Sequence, residues 1–312
     1  GMIDATNGNS FYGYQSGSVT ASGGQNSGFG SGSLKAVTTG SQNSAFGSNA
    51  LINNTTGNFN TAIGQSALAI NTTGSYNTAL GVAASVSNTT GSYNTAIGLQ
   101  SSYNNTTGQE NTAIGYNSLF SNTTGSFNTA NGSQALFSNT TGQENTATGY
   151  KALFANTTGS NNTAYGSQAL KSTNTGSNNS AFGDQALDNN TTGSFNDAFG
   201  RNALTANTTG SYNIAIGNFV LASNTSGIRN VAIGAGAGNA VTTATGNVFL
   251  GNQAGFYETG SDNLYISNSS TSLTPLIYGD FSTGNVGIGT TSANALLQLA
   301  NGNANRKLVL HD

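Results

Sequence analysis

Two carboxylates are the first candidates for chemistry. Glu110 and Glu144 sit at equivalent places in a chain that repeats every 17 residues, with one unit between them. If successive units stack at strand spacing, the two groups stand about 9.5 Å apart, at the upper end of the separation used by inverting glycosidases. Each of them, however, replaces an aromatic residue at a place held in other units by Phe59, Tyr76, Tyr93, Phe127, Phe195 and Tyr212. A place that accepts Phe, Glu and Arg229 alike faces solvent, with no supporting groups to set two carboxylates apart. The pair is read as surface and the chain as a non-enzyme.

Other chemistries lack their residues. His311 is the only histidine and there is no cysteine, which removes His-based triads, His metal sites, thiolate sites and disulfides. The Gly-x-x-x-x-Gly spacings lack a following Lys-Ser/Thr, and the Asp-rich nonapeptides of calcium-binding rolls are absent, so no metal or cofactor is expected. The basic residues Lys35, Lys151, Lys171, Arg201, Arg229, Arg306 and Lys307 are scattered in a chain of net charge −3. They form no stripe for nucleic acid. No stretch approaches the roughly 18 apolar residues of a membrane span, and the opening residues do not resemble a signal peptide. The leading Gly1-Met2 and the break in an apolar alternation at Asp312 suggest a fragment of a longer protein.

The elements that position every side chain follow from the repeat. Asn9, Asn26, Asn43, Asn60 and so on to Asn247 recur at 17-residue intervals without a slip, giving fifteen units. A period this short is too small for a helical hairpin or a propeller blade. It predicts an all-β fold, a parallel β-roll or β-solenoid with one coil per unit. Only 35% of residues are hydrophobic and 5% are charged; such a composition otherwise suggests disorder, but disorder needs no fixed register. Residues 1–50 hold irregular coils that could cap the solenoid, 51–246 the regular repeat, and 247–312 a transition in which the register changes and the single proline, Pro275, appears.

Within Asn-Thr-Ala-Ile-Gly, strand alternation sends Thr and Ile to one face and Ala to the other. The unvarying Ala, from Ala45 to Ala232, implies a narrow coil interior or a close approach between chains. The Leu of the following Ala-Leu is assigned to the core. The Ile place, which accepts Asn131 and Thr148, is read as partly wet. Asn-Thr-Thr-Gly reads as the corner, with Gly at positive φ and Asn bonding locally; its alternative, a glycosylation acceptor, is the weaker reading. Down the columns, Lys171 falls beside Asp188 and Asp184 beside Arg201, as exposed cross-coil pairs. Tyr103, Phe120, Phe137 and Phe154 form a second aromatic column, read as a subunit interface with an exposed binding stripe as the alternative.

The phrase Asn60-Thr61-Ala62-Ile63-Gly64 with Ala67-Leu68 resembles the head repeat of trimeric autotransporter adhesins, although the coil is longer by an Asn-Thr-Thr-Gly corner. The stretch from Pro275 to Phe281, with Gly284 to Ser292, is similar to segments preceding the self-cleaving chaperone domain of phage tail fibres. These resemblances imply a left-handed roll, a homotrimer, and an extracellular place on a cell surface or virion. They also imply attachment to a receptor or glycan as part of a fibre. Regular Thr ladders raise ice binding as an alternative function, although adjacent threonines in Asn-Thr-Thr-Gly would point to opposite faces.

Overall fold

The computed structural model describes residues 2–4, 7–18, 21–270 and 275–300; His311, Arg306 and Lys307 lie outside the described residues. A short strand β1 (Met2–Asp4) pairs antiparallel with β2 (Asn9–Tyr12). Fourteen three-residue strands follow, β3 (Ser27–Phe29) through β16 (Val248–Leu250), each pairing parallel with the next. The register is one coil throughout: Thr61, Ala62 and Ile63 of β5 (Thr61–Ile63) face Thr78, Ala79 and Leu80. The chain is an all-β parallel solenoid. At β17 (Asn263–Ile266) the step shortens, Val248 pairing with Leu264, and pairing turns antiparallel at β18 (Ile277–Asp280) and β19 (Asn285–Ile288). A last strand, β20 (Leu297–Leu299), lies parallel to β19.

Alternation within each strand sets what is inside. In β5 the Ala is fully buried while Thr61 is half-buried and Ile63 exposed, and the same pattern recurs along the array. The Ala row therefore faces the coil interior. It packs there with the second Ala of most coils, replaced by Ser33, Ser101, Ser118 and Val220 in others, and with Leu51, Leu68 and Leu119 to Leu221, all without exposure. Such a core is narrow, so hydrogen bonds carry much of its cohesion.

The buried asparagines supply them. Asn60 donates through Nδ2 to Asn43 Oδ1 at 3.0 Å and to Gly74 O at 2.9 Å, and its backbone N–H donates to the same Asn43 Oδ1 at 3.0 Å. A second ladder runs through the corners, where Asn71 Nδ2 donates to Asn54 Oδ1 at 2.8 Å and to Gly74 O at 2.9 Å. Both amide hydrogens of Asn71 are thus used inside the protein, and its side chain is buried. This supports turn chemistry over a glycosylation acceptor.

The corner glycine is needed for a different reason than positive φ. Gly74 has no left-handed φ; a Cβ there would run into Asn71 Oδ1 and the carbonyl oxygen of Gly91. Positive φ falls instead on the glycine that ends each strand, +134° at Gly64, and on non-glycine residues such as Ser66, Leu68 and Tyr76. Left-handed backbone costs an ordinary residue about 1–2 kcal/mol. Each of these is held by an inter-coil bond: Ser66 N to Ser48 O, Leu68 N to Ala84 O and Tyr76 N to Asn58 O, at 2.9–3.0 Å.

Larger side chains enter the Ala row only at the ends. Phe11 and Phe249 are buried there, and the Leu place beside each becomes glycine. A Cβ on Gly17 would run into the Phe11 ring; one on Gly238 would lie 2.7 Å from Phe249 Cδ2, and one on Gly255 would run into the same ring. After Phe249 comes Tyr265, whose hydroxyl bonds the Glu258 carboxylate; burial and that carboxylate push the Tyr265 phenol up.

The core has one break. Ser85 and Ser102 take the Leu place in successive coils, both buried and with hydroxyls lacking partners. One apolar cluster ends at Ala96 and the next begins at Ala113. In the same region Asn77, Asn94 and Asn111 keep their Nδ2 bonds to glycine carbonyls, and their backbone N–H groups still donate to the side-chain Oδ1 of the preceding coil's asparagine. Among the described residues they lack the Nδ2 bond to the preceding amide.

One of the two expected ion pairs differs from expectation in burial. Arg201 Nε and Asp184 are exposed at 3.9 Å, but the Asp188 side chain is only 15% exposed and stands 3.7 Å from Lys171 Nζ, too far for a hydrogen bond. Burial raises the Asp188 carboxyl above its usual range despite the opposing pull of Lys171. The folded state therefore holds this proton more tightly than the unfolded chain, and the ionised form opposes folding once the pH exceeds the ordinary carboxylate value. Asp188→Asn is expected to melt at a higher temperature than the wild type at pH 7. The gain should shrink as the pH falls towards about 4; a gain that does not change with pH would show that ionisation is not its cause.

Candidate functional site

The repeat converts positions into columns, and three columns carry aromatic rings outward. Phe59, Tyr76 and Tyr93 stack with centroids 4.8 and 4.9 Å apart, and Phe195 stacks on Tyr212 at 5.0 Å. All five are exposed, as expected for a column that also holds Glu110, Glu144 and Arg229. Every one of these residues has φ between +54° and +62°. Asn161 and Asn178 take the same place, and Asn is the type that accepts this backbone most readily among non-glycine residues. Stacking, worth about 0.5–1.5 kcal/mol per ring pair, offsets the cost for most of the rings. Phe127 is different: it stands between Glu110 and Glu144, exposed, with φ +61° and no ring partner among the described residues.

Tyr103, Phe120, Phe137 and Phe154 form a continuous stack at 5.1–5.2 Å with nearly parallel planes. These rings are half-buried within one chain. Lys151 Nζ stands 5.4 Å from the Phe154 ring centroid, at that end of the stack.

A third aromatic column, absent from the sequence-based candidates, lies on the strands. Tyr12, Phe29 and Phe46 stack at 5.0 and 4.9 Å, and Tyr165, Phe182 and Phe199 at 6.3 and 4.9 Å. They share the Ile place with Ile63, Leu80 and Ile114, and all are exposed. The signal was present in the residues that replace Ile, but tolerance of Asn131 and Thr148 masked it. Two residues earlier on the same outward face runs an unbroken threonine row, Thr61 through Thr163.

Stacking has a geometric consequence for recognition. A ring inside a ladder gives both faces to its neighbours and shows solvent only its edge. Free faces occur at ladder ends and at rings with no neighbour. Glu110 and Glu144 flank such a ring on an exposed ridge, and no hollow lies beside them among the described cavities.

Comparison with protein-family profiles, with curated proteins and with solved structures finds no match. The surface itself therefore carries the functional argument. Among the described residues, no group of three or more His, Asp or Glu is placed to hold a metal ion. No helix among them is long and apolar enough to cross a membrane.

Proposed function

We propose that this chain is a rigid segment of an extracellular fibre, a cell-surface adhesin or a virion tail fibre, that attaches to a glycan or other cell-surface receptor as a homotrimer. The observation that carries the reading is Phe127. An exposed aromatic ring on left-handed backbone, where Asn161 and Asn178 stand in other coils, costs the fold stability and gains no ring stacking from neighbouring coils. A ring kept outward in that way suits contact with something outside the chain. The half-buried stack from Tyr103 to Phe154 supports the trimer, because two further chains covering it would bury four adjoining rings. The reading is non-enzymatic and uses no cofactor.

Light scattering on the folded chain is expected to give a mass near three times 31.3 kDa. The trimer is expected to bind cells or a glycan array, with Phe127→Asn weakening binding and leaving the melting temperature unchanged or higher. A folded trimer that binds neither would reduce the proposal to a passive shaft, and a monomer would remove its assembly.

The threonine row favours a second reading, the ordering of water or ice on the outward strand face. Its neighbour on the same face is a mostly hydrophobic column, broken by Asn131 and Thr148, and not a second threonine row. Freezing indistinguishable from buffer, with no thermal hysteresis, would dismiss it.

A further inference from the structure

The columns are interrupted near the carboxyl-terminal end of the solenoid. The place that follows the strand-ending glycine by two residues is filled by Asn117, Gln134, Lys151, Gln168, Gln185, Asn202 and Phe219, and then by Gly236. Beside Gly236 there is an open hollow of about 420 Å³, lined by Asn218, Phe219, Asn239, Asn252, Gln253 and Phe256 together with Ala235 and Gly236. That volume lies within the usual range for small-ligand sites, about 300–1,000 Å³.

The walls are fixed. Gly236 N donates to Asn218 O at 2.9 Å and Gln253 N to Ala235 O at 2.8 Å. Asn239 Nδ2 donates to Phe219 O at 3.2 Å, and Asn218 Oδ1 accepts from Arg201 N at 3.1 Å. The Arg201 guanidinium covers one face of Phe219, 5.6 Å from its centroid. Phe219 is 42% exposed, and the opposite side of its ring has no ring above it because the next residue in its column is Gly236. Phe256 reaches over from the coil beyond, so that a Cβ on residue 236 would lie 3.3 Å from its Cδ2. The side-chain amides of Asn252 and Gln253 have no partner among the described residues.

We infer that this hollow binds one neutral pyranose ring. Phe219 and Gln253 are two coils apart in one column, roughly 9.6 Å at strand spacing, so the gap accepts one ring thickness, as the other ladders do. A sugar ring sets its C–H face on Phe219 and turns its hydroxyls to the four amide side chains, which both donate and accept. A flat aromatic ligand would leave those amides desolvated and unpaired. No charged residue lines the hollow, and the nearest cation is spent on the far face of Phe219, so the sugar is neutral. This inference rests on the glycan-attachment reading and gives it a place and a ligand class.

The test uses the full chain and two variants that restore residues found elsewhere in the column. Gly236→Gln fills the hollow; Gln134, Gln168 and Gln185 already occupy that place at φ +58° to +59°, and the Phe256 ring need give way by only a few tenths of an ångström to admit the new Cβ. Phe219→Gln removes the ring while leaving the hollow open. Saturation-transfer NMR with the methyl glycosides of glucose, galactose, mannose and N-acetylglucosamine is expected to show binding of at least one by the wild type. Affinity should fall at least tenfold in both variants, each with an unchanged melting temperature. A glycan array with wild type and Gly236→Gln separates a terminal glycan unit from a free sugar as the source. Binding that persists in both folded variants overturns the hollow and leaves attachment elsewhere intact. No binding of any glycoside or array glycan by the folded wild type overturns both.

Discussion

Asn128→Asp is expected to destabilise the fold by about 3–5 kcal/mol at pH 7, the cost of leaving a charge buried without a partner. Asn128 Nδ2 donates to Asn111 Oδ1 at 3.2 Å and to Gly142 O at 2.9 Å, while its Oδ1 accepts from Asn145 N and Nδ2. The aspartate keeps the acceptor but sets a second carboxylate oxygen against two other acceptors, with no exposure to water at that position. Its carboxyl must therefore titrate above the ordinary value, so the folded state favours the protonated form. The deficit is small below about pH 4, where both states are protonated, and grows by about 1.4 kcal/mol per pH unit until the raised folded value is passed. Hydrogen exchange should quicken most in the coils on either side of Asn128, since each coil touches only its neighbours. Wild-type exchange at pH 7, or a deficit that does not change with pH, would refute a buried amide ladder.

Ala147→Phe is expected to cost more than about 3 kcal/mol by overpacking, because Ala147 is fully buried between Ala130 and Ala164. The solenoid's ends indicate the repair. Leu153 stands to Ala147 as Gly255 does to Phe249 and Gly17 to Phe11, and Leu136 stands where Gly238 does. Leu136→Gly with Leu153→Gly, alone, leaves cavities costing about 2–5 kcal/mol each. Combined with Ala147→Phe, the pair should give a protein more stable than either parent, with a favourable coupling in the cycle. Additive losses would mean that the end coils accommodate their rings by some other shift.

What could be read from residues alone follows from what repeats. The coil, its parallel register and the direction of Thr61, Ala62 and Ile63 follow from period and alternation, and the structure bears them out. The role of the recurrent Asn did not follow, because a lone asparagine reads as surface or turn. It can be buried only because an identical amide lies one coil away to pair with it. The corner and strand-end glycines both recur in each regular coil, so composition cannot tell positive φ at Gly64 from close approach at Gly74. The matched swaps at Phe11 with Gly17 and Phe249 with Gly255 were visible as a common spacing, but only as irregularity until the ring was seen against the missing side chain.

The serine break has a mechanical consequence. Coils joined end to end carry an axial load in series, so the rod yields at its weakest junction whatever the strength of the others. At Ser85 and Ser102 two leucine side chains are missing, two hydroxyls are unpaired and the inner amide ladder is thinned. The corner ladder from Asn88 to Asn122 stays whole there and bears the strain. Pulled from its ends, the segment should part or bend there first, leaving a short amino-terminal piece and a longer one that retains the stack from Tyr103 to Phe154 and the hollow over Gly236.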